Sequence, residues 1–151
     1  LKVIVKYPKK EEERQIIRMN NSGEFPTVNP MIKPEDIVRA RSVVRDVYMD
    51  EKIERYIVDI VYATRTPDDY GLGKIKDLIS FGASPRASIS LSMASKAYAF
   101  IKRRGYVIPE DVRAVCNEVL RHRIGLTYEA EAENVTTEQI IAEVINAVQV
   151  P

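Results

Sequence analysis

Phe81-Gly82-Ala83-Ser84-Pro85-Arg86-Ala87-Ser88 is the stretch on which the interpretation of the whole sequence depends. Ser84 is typical of a helix N-cap, where its hydroxyl would accept a hydrogen bond from a first-turn amide. Pro85 fits the first helical position, because its missing N–H would have no partner there and its φ is already helical. Arg86 then lies beside the positive end of a helix, where an anion would be stabilised by free amides and by the guanidinium.

Two interpretations of Arg86 follow from the residues. The arginine could be half of a phosphate-binding site at the helix N-terminus. It could also be an exposed side chain that packs its stem on the surface and pairs with a nearby carboxylate, which is the more common situation for a single arginine. The residues alone leave both interpretations open.

The helix that follows is predicted to run from Pro85 to about Arg104 and to be the central helix of a bundle. Its small residues imply close approach of neighbouring helices, and Gly105 could end it with a positive φ. The predicted buried stripe is Ala87, Leu91, Ala94, Tyr98 and Ile101, widened by Met93, Ala97 and Phe100.

The N-terminal part alternates apolar and polar residues over 1–7, which predicts a strand ended by Pro8. A charged helix is expected over 9–20, with Ile16, Ile17 and Met19 on its buried face. Residues 20–30 are rich in turn formers and form the best domain boundary in the sequence.

Four further helices are predicted from start signals and apolar spacing. They begin near Pro34, after Asp50, at Pro109, and at a Thr136–Gln139 capping box. Residues 66–73 and the acidic stretch 129–133 are expected to be loops, and 126–128 one short strand. For these four helices, in chain order, the predicted core residues are Ile37, Ala40, Val43, Val44 and Val47; Ile53, Ile57, Ile60, Val61 and Thr64; Val112, Val115, Cys116, Val119 and Leu120; and Ile140, Ile141, Val144, Ile145 and Val148.

The fold class is therefore all-α: a helical bundle of about five or six helices, with an orphan N-terminal strand and minimal sheet. The 151 residues are 45% hydrophobic and 30% charged with a net charge of +1, so no strongly basic field points to nucleic acid. A lone cysteine and no membrane-length apolar run suit a cytoplasmic protein. The first residue is Leu1, which suggests a domain cut from something larger.

Other candidate motifs are weak. Gly71-Leu72-Gly73-Lys74 lacks the first glycine of a phosphate loop and has Ile75 where a Ser or Thr should follow. Cys116 and His122 cannot make a four-ligand zinc site, and their spacing of six does not bring them together on a helix. Two basic runs, 102–104 and 121–123, suit helix ends and could also dock an acidic partner or nucleic acid.

The sequence resembles the MoxR family of AAA+ ATPases over nearly its whole length. Gly82–Ala87 is similar to the sensor-2 motif of that family. The resemblance continues through 106–115 and 119–123, and earlier through 56–65 and through Tyr7-Pro8 with the acidic run 11–13.

The resemblance implies that residues 1–22 are the tail end of the ATPase core and that 23–151 are an all-helical lid domain. Arg86 would be catalytic and nucleotide-binding, reaching toward the γ-phosphate, with help from the amides of Ala83 and Ser84. Tyr7 and Pro8 would lie near the adenine. ATP and Mg²⁺ are implied for the intact protein; this chain has no P-loop, so we expect no tight nucleotide binding and no hydrolysis by it alone.

The implied partners are an AAA+ core domain of the same chain and further copies in a ring. Such proteins are chaperone-like ATPases that remodel other complexes, often alongside von Willebrand factor A proteins. The alternatives are a stand-alone helical interaction module without nucleotide and a helical DNA-binding domain that uses Lys102, Arg103 and Arg104. No membrane partner is expected.

Overall fold

The computed structural model describes residues 1–23 and 25–151, and these form a helical bundle with one small sheet. The predicted all-α class is confirmed. Over the described residues the helices number eight, with a single 3₁₀ turn at Pro67–Tyr70 and two short strands. The elements are α1 Lys10–Ser22, α2 Pro34–Asp46, α3 Glu51–Ala63, α4 Gly73–Lys76, β1 Ile79–Phe81, α5 Pro85–Ile101, α6 Pro109–Leu120, β2 Gly125–Leu126, α7 Tyr128–Ala132 and α8 Thr137–Ala147.

Four helices enclose the core, and their apolar spacing explains why. α5 packs chiefly against α6 and then against α3, while α8 closes the bundle over α6 and α3. The small residues Ala87, Ser95 and Ala99 are buried on α5 and allow this close approach. The predicted core residues of α3 and α6 are all buried, and on α8 Ile140, Ile141, Val144 and the following Val148 are buried too.

Side-chain caps fix where several of these helices begin. The Asp50 carboxylate accepts from the Lys52 N–H at 2.9 Å, and Thr136 with Gln139 forms the predicted capping box. Thr127 caps α7 in the same way, so the acidic stretch 129–133 is largely helical where we expected a loop. The local reason is that a threonine N-cap followed by good helix formers is sufficient to start a short helix.

The structure assigns no strand to residues 1–7, where the sequence predicts an orphan strand. Residues 1–9 lie outside the helices and the sheet, and the Lys2 N–H donates to the Glu118 carbonyl oxygen at 2.7 Å. An isolated strand has no partner for its ladder groups, and β1 and β2 pair only with each other. α1 forms as predicted but has no buried residue; Ile16 and Ile17 are 54% and 57% exposed.

The buried face predicted for α2 is also largely wrong. Ile37 and Val43 are exposed, and only Val47, just after the helix, is fully buried among the five predicted positions. α2 contacts the bundle mainly through α5, so much of its apolar surface remains uncovered by the described residues.

The end of α5 differs from the prediction as well. The helix ends at Ile101, and Arg103 rather than Gly105 takes the left-handed conformation, with φ of 59°. The Arg104 N–H then donates to the Ala99 carbonyl oxygen at 2.9 Å. Of the predicted stripe, Met93, Phe100 and Ile101 are exposed.

Arg104 has a structural role in the bundle. Its guanidinium holds the buried Asp111 carboxylate with two hydrogen bonds, and that carboxylate also accepts from the Ile108 N–H, which starts α6. This engagement removes one of the three cations that a nucleic-acid interface at residues 102–104 would require. Over the described residues, no helix has the length and apolar character needed to span a membrane.

Candidate functional site

The loop that precedes Arg86 lies between a small sheet and the start of α5. β1 pairs antiparallel with β2, with Ile79 opposite Leu126 and Phe81 opposite Gly125. The ring of Phe81 covers Gly125 so closely that a Cβ there would overlap it. The sheet therefore fixes the position at which the chain leaves β1 and turns into α5.

The end of α3 clamps this loop from the other side. The Ala83 N–H donates to the Thr64 hydroxyl at 2.9 Å, and the Arg65 Nε–H donates to the Ala83 carbonyl oxygen at 2.5 Å. Gly82 lies against the Thr64 carbonyl, where a Cβ would overlap the backbone. Both backbone polar groups of Ala83 are thus satisfied, and we call Thr64 and Arg65 the clamp.

The two clamp residues are themselves anchored. Thr64 is 1% exposed, and its hydroxyl donates to the Val61 carbonyl oxygen at 2.7 Å. The Arg65 guanidinium lies over the Tyr62 ring, 4.9 Å from its centre, which is a favourable cation–π geometry. The loop is therefore attached to a rigid helix end.

Pro85 occupies the first position of α5, as predicted, and Arg86 follows it. Arg86 is exposed, and its side chain makes no ion pair or hydrogen bond with the described residues. The carboxylate partner that one interpretation required is thus not found in the described part of the chain. A cation without a partner at the start of a helix remains available to an anion.

The neighbouring loop groups differ from what the sequence led us to expect. Ser84 occupies the N-cap position, but its side chain makes no capping hydrogen bond. Ala83 is fully buried and its N–H is bonded to Thr64, so this amide could reach a phosphate only if the clamp opened. Helping amides would therefore have to come from Ser84 and the first turn of α5.

A second arginine lies near the same face of α5. The Arg123 guanidinium donates to the Ser90 hydroxyl at 3.3 Å, and Ser90 lies one helical turn after Arg86. Arg123 also contacts the His122 ring at 2.7 Å. Desolvation and the nearby charge of Arg123 lower the pKa of His122, which indicates a locally positive end of the bundle.

A polar cavity of about 600 Å³ opens beside the clamp, but its charges do not suit a phosphate. Its lining includes Asp68, Asp69 and Asp77, and the Lys76 ammonium is already paired with Asp68 at 2.6 Å. Carboxylates would repel an anion here. The exposed start of α5 is the more suitable position.

Tyr7 and Pro8, the other predicted site residues, form no hydrogen bond with the described residues of this loop. Tyr7 is 98% exposed and Pro8 is exposed. The described residues contain no group of three or more metal-ligating side chains. Burial raises the pKa of the Cys116 thiol to about 12, so this cysteine is a core residue rather than a nucleophile.

The clamp is the part of the site that sequence reasoning missed. Thr64 was predicted as one more core position, and Arg65 was noted only as part of a family-like helix. The available signal was the pair itself, a polar and a basic residue directly after an apolar helix face. Their partner lies 18 and 19 residues later in the chain, beyond the reach of local patterns.

Comparisons with known proteins agree on the kind of domain. The family described as "AAA lid domain" matches residues 74–144. Chaperone MoxR1 of Mycobacterium tuberculosis is 38% identical over 151 residues, which are 99% of this chain and 40% of that protein. Protein MoxR of Paracoccus denitrificans is 39% identical over 87 residues, 54% of this chain and 26% of that protein.

A solved structure is similar over almost the whole chain. A proposed ATPase from Cytophaga hutchinsonii superposes with a TM-score of 0.90 at 38% identity, covering 97% of this chain and 45% of that one. The chain therefore spans less than half the length of these three similar proteins.

Proposed function

Because the chain belongs to the MoxR family of AAA+ ATPases and contains its AAA lid domain, we propose that Arg86 is the sensor-2 arginine of an ATP-hydrolysing protein. The observation that carries this proposal is an exposed Arg86 without a partner among the described residues, at the start of a clamped helix. Its guanidinium would contact the γ-phosphate of a nucleotide bound on an AAA+ core.

Charge stabilisation is the chemistry that Arg86 would supply. Phosphoryl transfer spreads negative charge over the γ-phosphate oxygens, and a positioned guanidinium stabilises that charge. ATP with Mg²⁺ would be bound by the core, whose phosphate loop this chain does not contain. The chain alone would then neither hydrolyse ATP nor bind it tightly.

The clamp would couple this contact to movement of the whole lid. Thr64 and Arg65 attach the Arg86 loop to α3, and α3 belongs to the packed bundle. A pull on Arg86 by the γ-phosphate would therefore move the lid as a rigid body, and loss of the phosphate would release it.

The resemblance to the family also supports a proposal for the wider assembly. We propose that residues 1–22 join the lid, 23–151, to the core, and that Tyr7 and Pro8 approach the adenine. The intact protein would form a cytoplasmic ring of identical subunits that remodels other protein complexes, alongside von Willebrand factor A proteins.

The test is ATP turnover by the full-length protein that carries this chain. We expect Arg86→Ala to lower kcat by about 100-fold while ATP still binds, because positioned charge is worth that much in a transition state. The kcat of Arg86→Lys should lie between those of the unmodified protein and of Arg86→Ala, since lysine keeps the charge but loses the planar guanidinium. Arg39→Ala, at an exposed arginine of α2, is the matched control. Unchanged turnover in Arg86→Ala would refute the proposal.

A further inference from the structure

Arg123 joins the end of α6 to the start of α5. Its guanidinium donates from Nη1 to the Val119 carbonyl oxygen and from Nη2 to the Ser90 hydroxyl oxygen, the latter at 3.3 Å. Ser90 lies on α5, one helical turn after Arg86 and on the same side of the helix. One half-buried side chain therefore connects two helices close to the arginine of the proposed site.

The end of α6 holds Arg123 in place. Besides the guanidinium contact with Val119, the Arg123 N–H donates to the Leu120 carbonyl oxygen at 2.8 Å. Both carbonyls belong to the last turn of α6, which has no partners for them within the helix, and a positive charge there is favoured by the helix dipole. These two bonds are sufficient to cap α6, so the reach to Ser90 is a separate contact with α5.

Arg86 lies between two attachments of α5 to the rest of the bundle. Before it in the chain, the clamp binds both backbone polar groups of Ala83. After it, Arg123 binds Ser90. α5 also packs chiefly against α6, so the Arg123 bond adds a polar contact to an apolar one. The two attachments together fix the first turns of α5, and with them the backbone of Arg86, relative to α3 and α6.

The charge of Arg123 also acts on Arg86. Neither arginine forms an ion pair with a carboxylate of the described residues. Because Arg123 is bonded to a residue one turn from Arg86, the two positive charges lie along one side of α5 and repel each other. Helical side chains lean toward the N-terminus of their helix, so this repulsion favours an Arg86 guanidinium that extends past the start of α5 and away from the bundle.

We propose that Arg123 is a positioning residue for Arg86. Through Ser90 it fixes the first turns of α5, and through its charge it directs the Arg86 guanidinium outward, without a contact of its own with the nucleotide. This inference rests on the proposed role of Arg86 in ATP hydrolysis and adds to it a second arginine that acts through the first.

A double-mutant cycle on ATP turnover by the full-length protein that carries this chain tests the positioning role. Arg123→Gln should lower kcat about tenfold and change the KM for ATP less than about twofold, because a misplaced charge-stabilising group affects the transition state more than ground-state binding. In the Arg86→Ala background the same substitution should lower kcat less than about twofold, because the group that Arg123 positions is no longer present. An equal loss in both backgrounds would overturn the proposal.

Ser90→Ala separates the contact with α5 from the cap of α6, since it leaves Arg123 and its bonds to α6 in place. It should lower kcat about threefold, the value of one ordinary hydrogen bond. Ser88→Ala is the matched control and should leave kcat unchanged, because this half-buried serine of the same helix makes no side-chain hydrogen bond with the described residues. If Ser90→Ala behaves like Ser88→Ala, the proposal is wrong.

The cycle also distinguishes this inference from the proposed function. Unchanged turnover in Arg86→Ala alone would overturn both. A loss in Arg86→Ala that is accompanied by unchanged turnover in Arg123→Gln would overturn only the positioning role. Circular dichroism checks that each variant keeps its helices, and if Arg123→Gln fails to fold, the comparison of Ser90→Ala with Ser88→Ala decides.

Discussion

Replacing Thr64 by valine tests the clamp, because the two side chains have nearly the same shape. Thr64→Val keeps the side-chain volume but removes the hydroxyl that accepts from the Ala83 N–H at 2.9 Å. Ala83 is fully buried, so water cannot replace the lost acceptor, and a buried donor without a partner costs about 1–3 kcal/mol. The Val61 carbonyl oxygen also loses the hydrogen bond from the Thr64 hydroxyl, but it still accepts one from the Thr64 N–H. The expected loss of stability is therefore about 2 kcal/mol.

Two measurements on the 151-residue chain check this value. Urea unfolding should give the loss of about 2 kcal/mol, and hydrogen exchange at the Ala83 amide should accelerate about 30-fold, the same free energy expressed as local opening. Thr66→Val is the matched control, because its exposed hydroxyl makes only a long bond of 3.4 Å; it should change stability by less than about 0.5 kcal/mol. If Thr64→Val behaves like Thr66→Val in both measurements, the clamp does not hold the loop.

Three further predictions concern the bundle. Asp111→Asn should cost about 2 kcal/mol in urea unfolding, because the amide replaces one of the two oxygens that accept from Arg104 by an NH₂ group and removes the charge; Asp36→Asn, at a side chain that is 37% exposed, should cost clearly less, and equal losses would contradict this. Arg103→Gly should add about 0.5–1 kcal/mol of stability, because glycine adopts the left-handed conformation freely, and a loss would refute that reasoning. The Cys116 thiol should react with a disulfide reagent at pH 8 at least about 100-fold more slowly in the folded chain than in urea, because burial raises its pKa to about 12; similar rates would place it outside the core.

The sequence predicted best those elements whose partners lie within this chain. α3, α6 and α8 show apolar residues at helical spacing, and those residues are buried as predicted except Ile145, which is half-buried. The long helix α5 was recognised from its start at Pro85 and its small residues. In these helices local pattern and tertiary packing agree, so the pattern was sufficient.

The wrong predictions in the N-terminal part of the chain share one physical cause. An amphipathic pattern indicates that a helix face packs against another surface, but it does not show whether that surface belongs to the same chain. Ile16 on α1 and Ile37 on α2 carry the pattern of buried residues and are exposed. The alternation over residues 1–7 likewise favours a strand, yet a strand forms only beside another strand edge.

The site was predicted only in its local part. Pro85 and Arg86 could be placed because the signals for a helix start extend over a few residues. The clamp could not, since Thr64 and Arg65 meet Ala83 through the fold of the chain between them. Arg103 shows the same limit at the other end of α5, where packing rather than a glycine determines how the helix ends.

The contact between Arg86 and the nucleotide is the central claim, and a structure of the full-length protein with a non-hydrolysable ATP analogue tests it most directly. We expect the Arg86 guanidinium at hydrogen-bond distance, about 3 Å, from a γ-phosphate oxygen, with Thr64 and Arg65 still bonded to Ala83. A bound nucleotide whose γ-phosphate lies far from the start of α5 would contradict it.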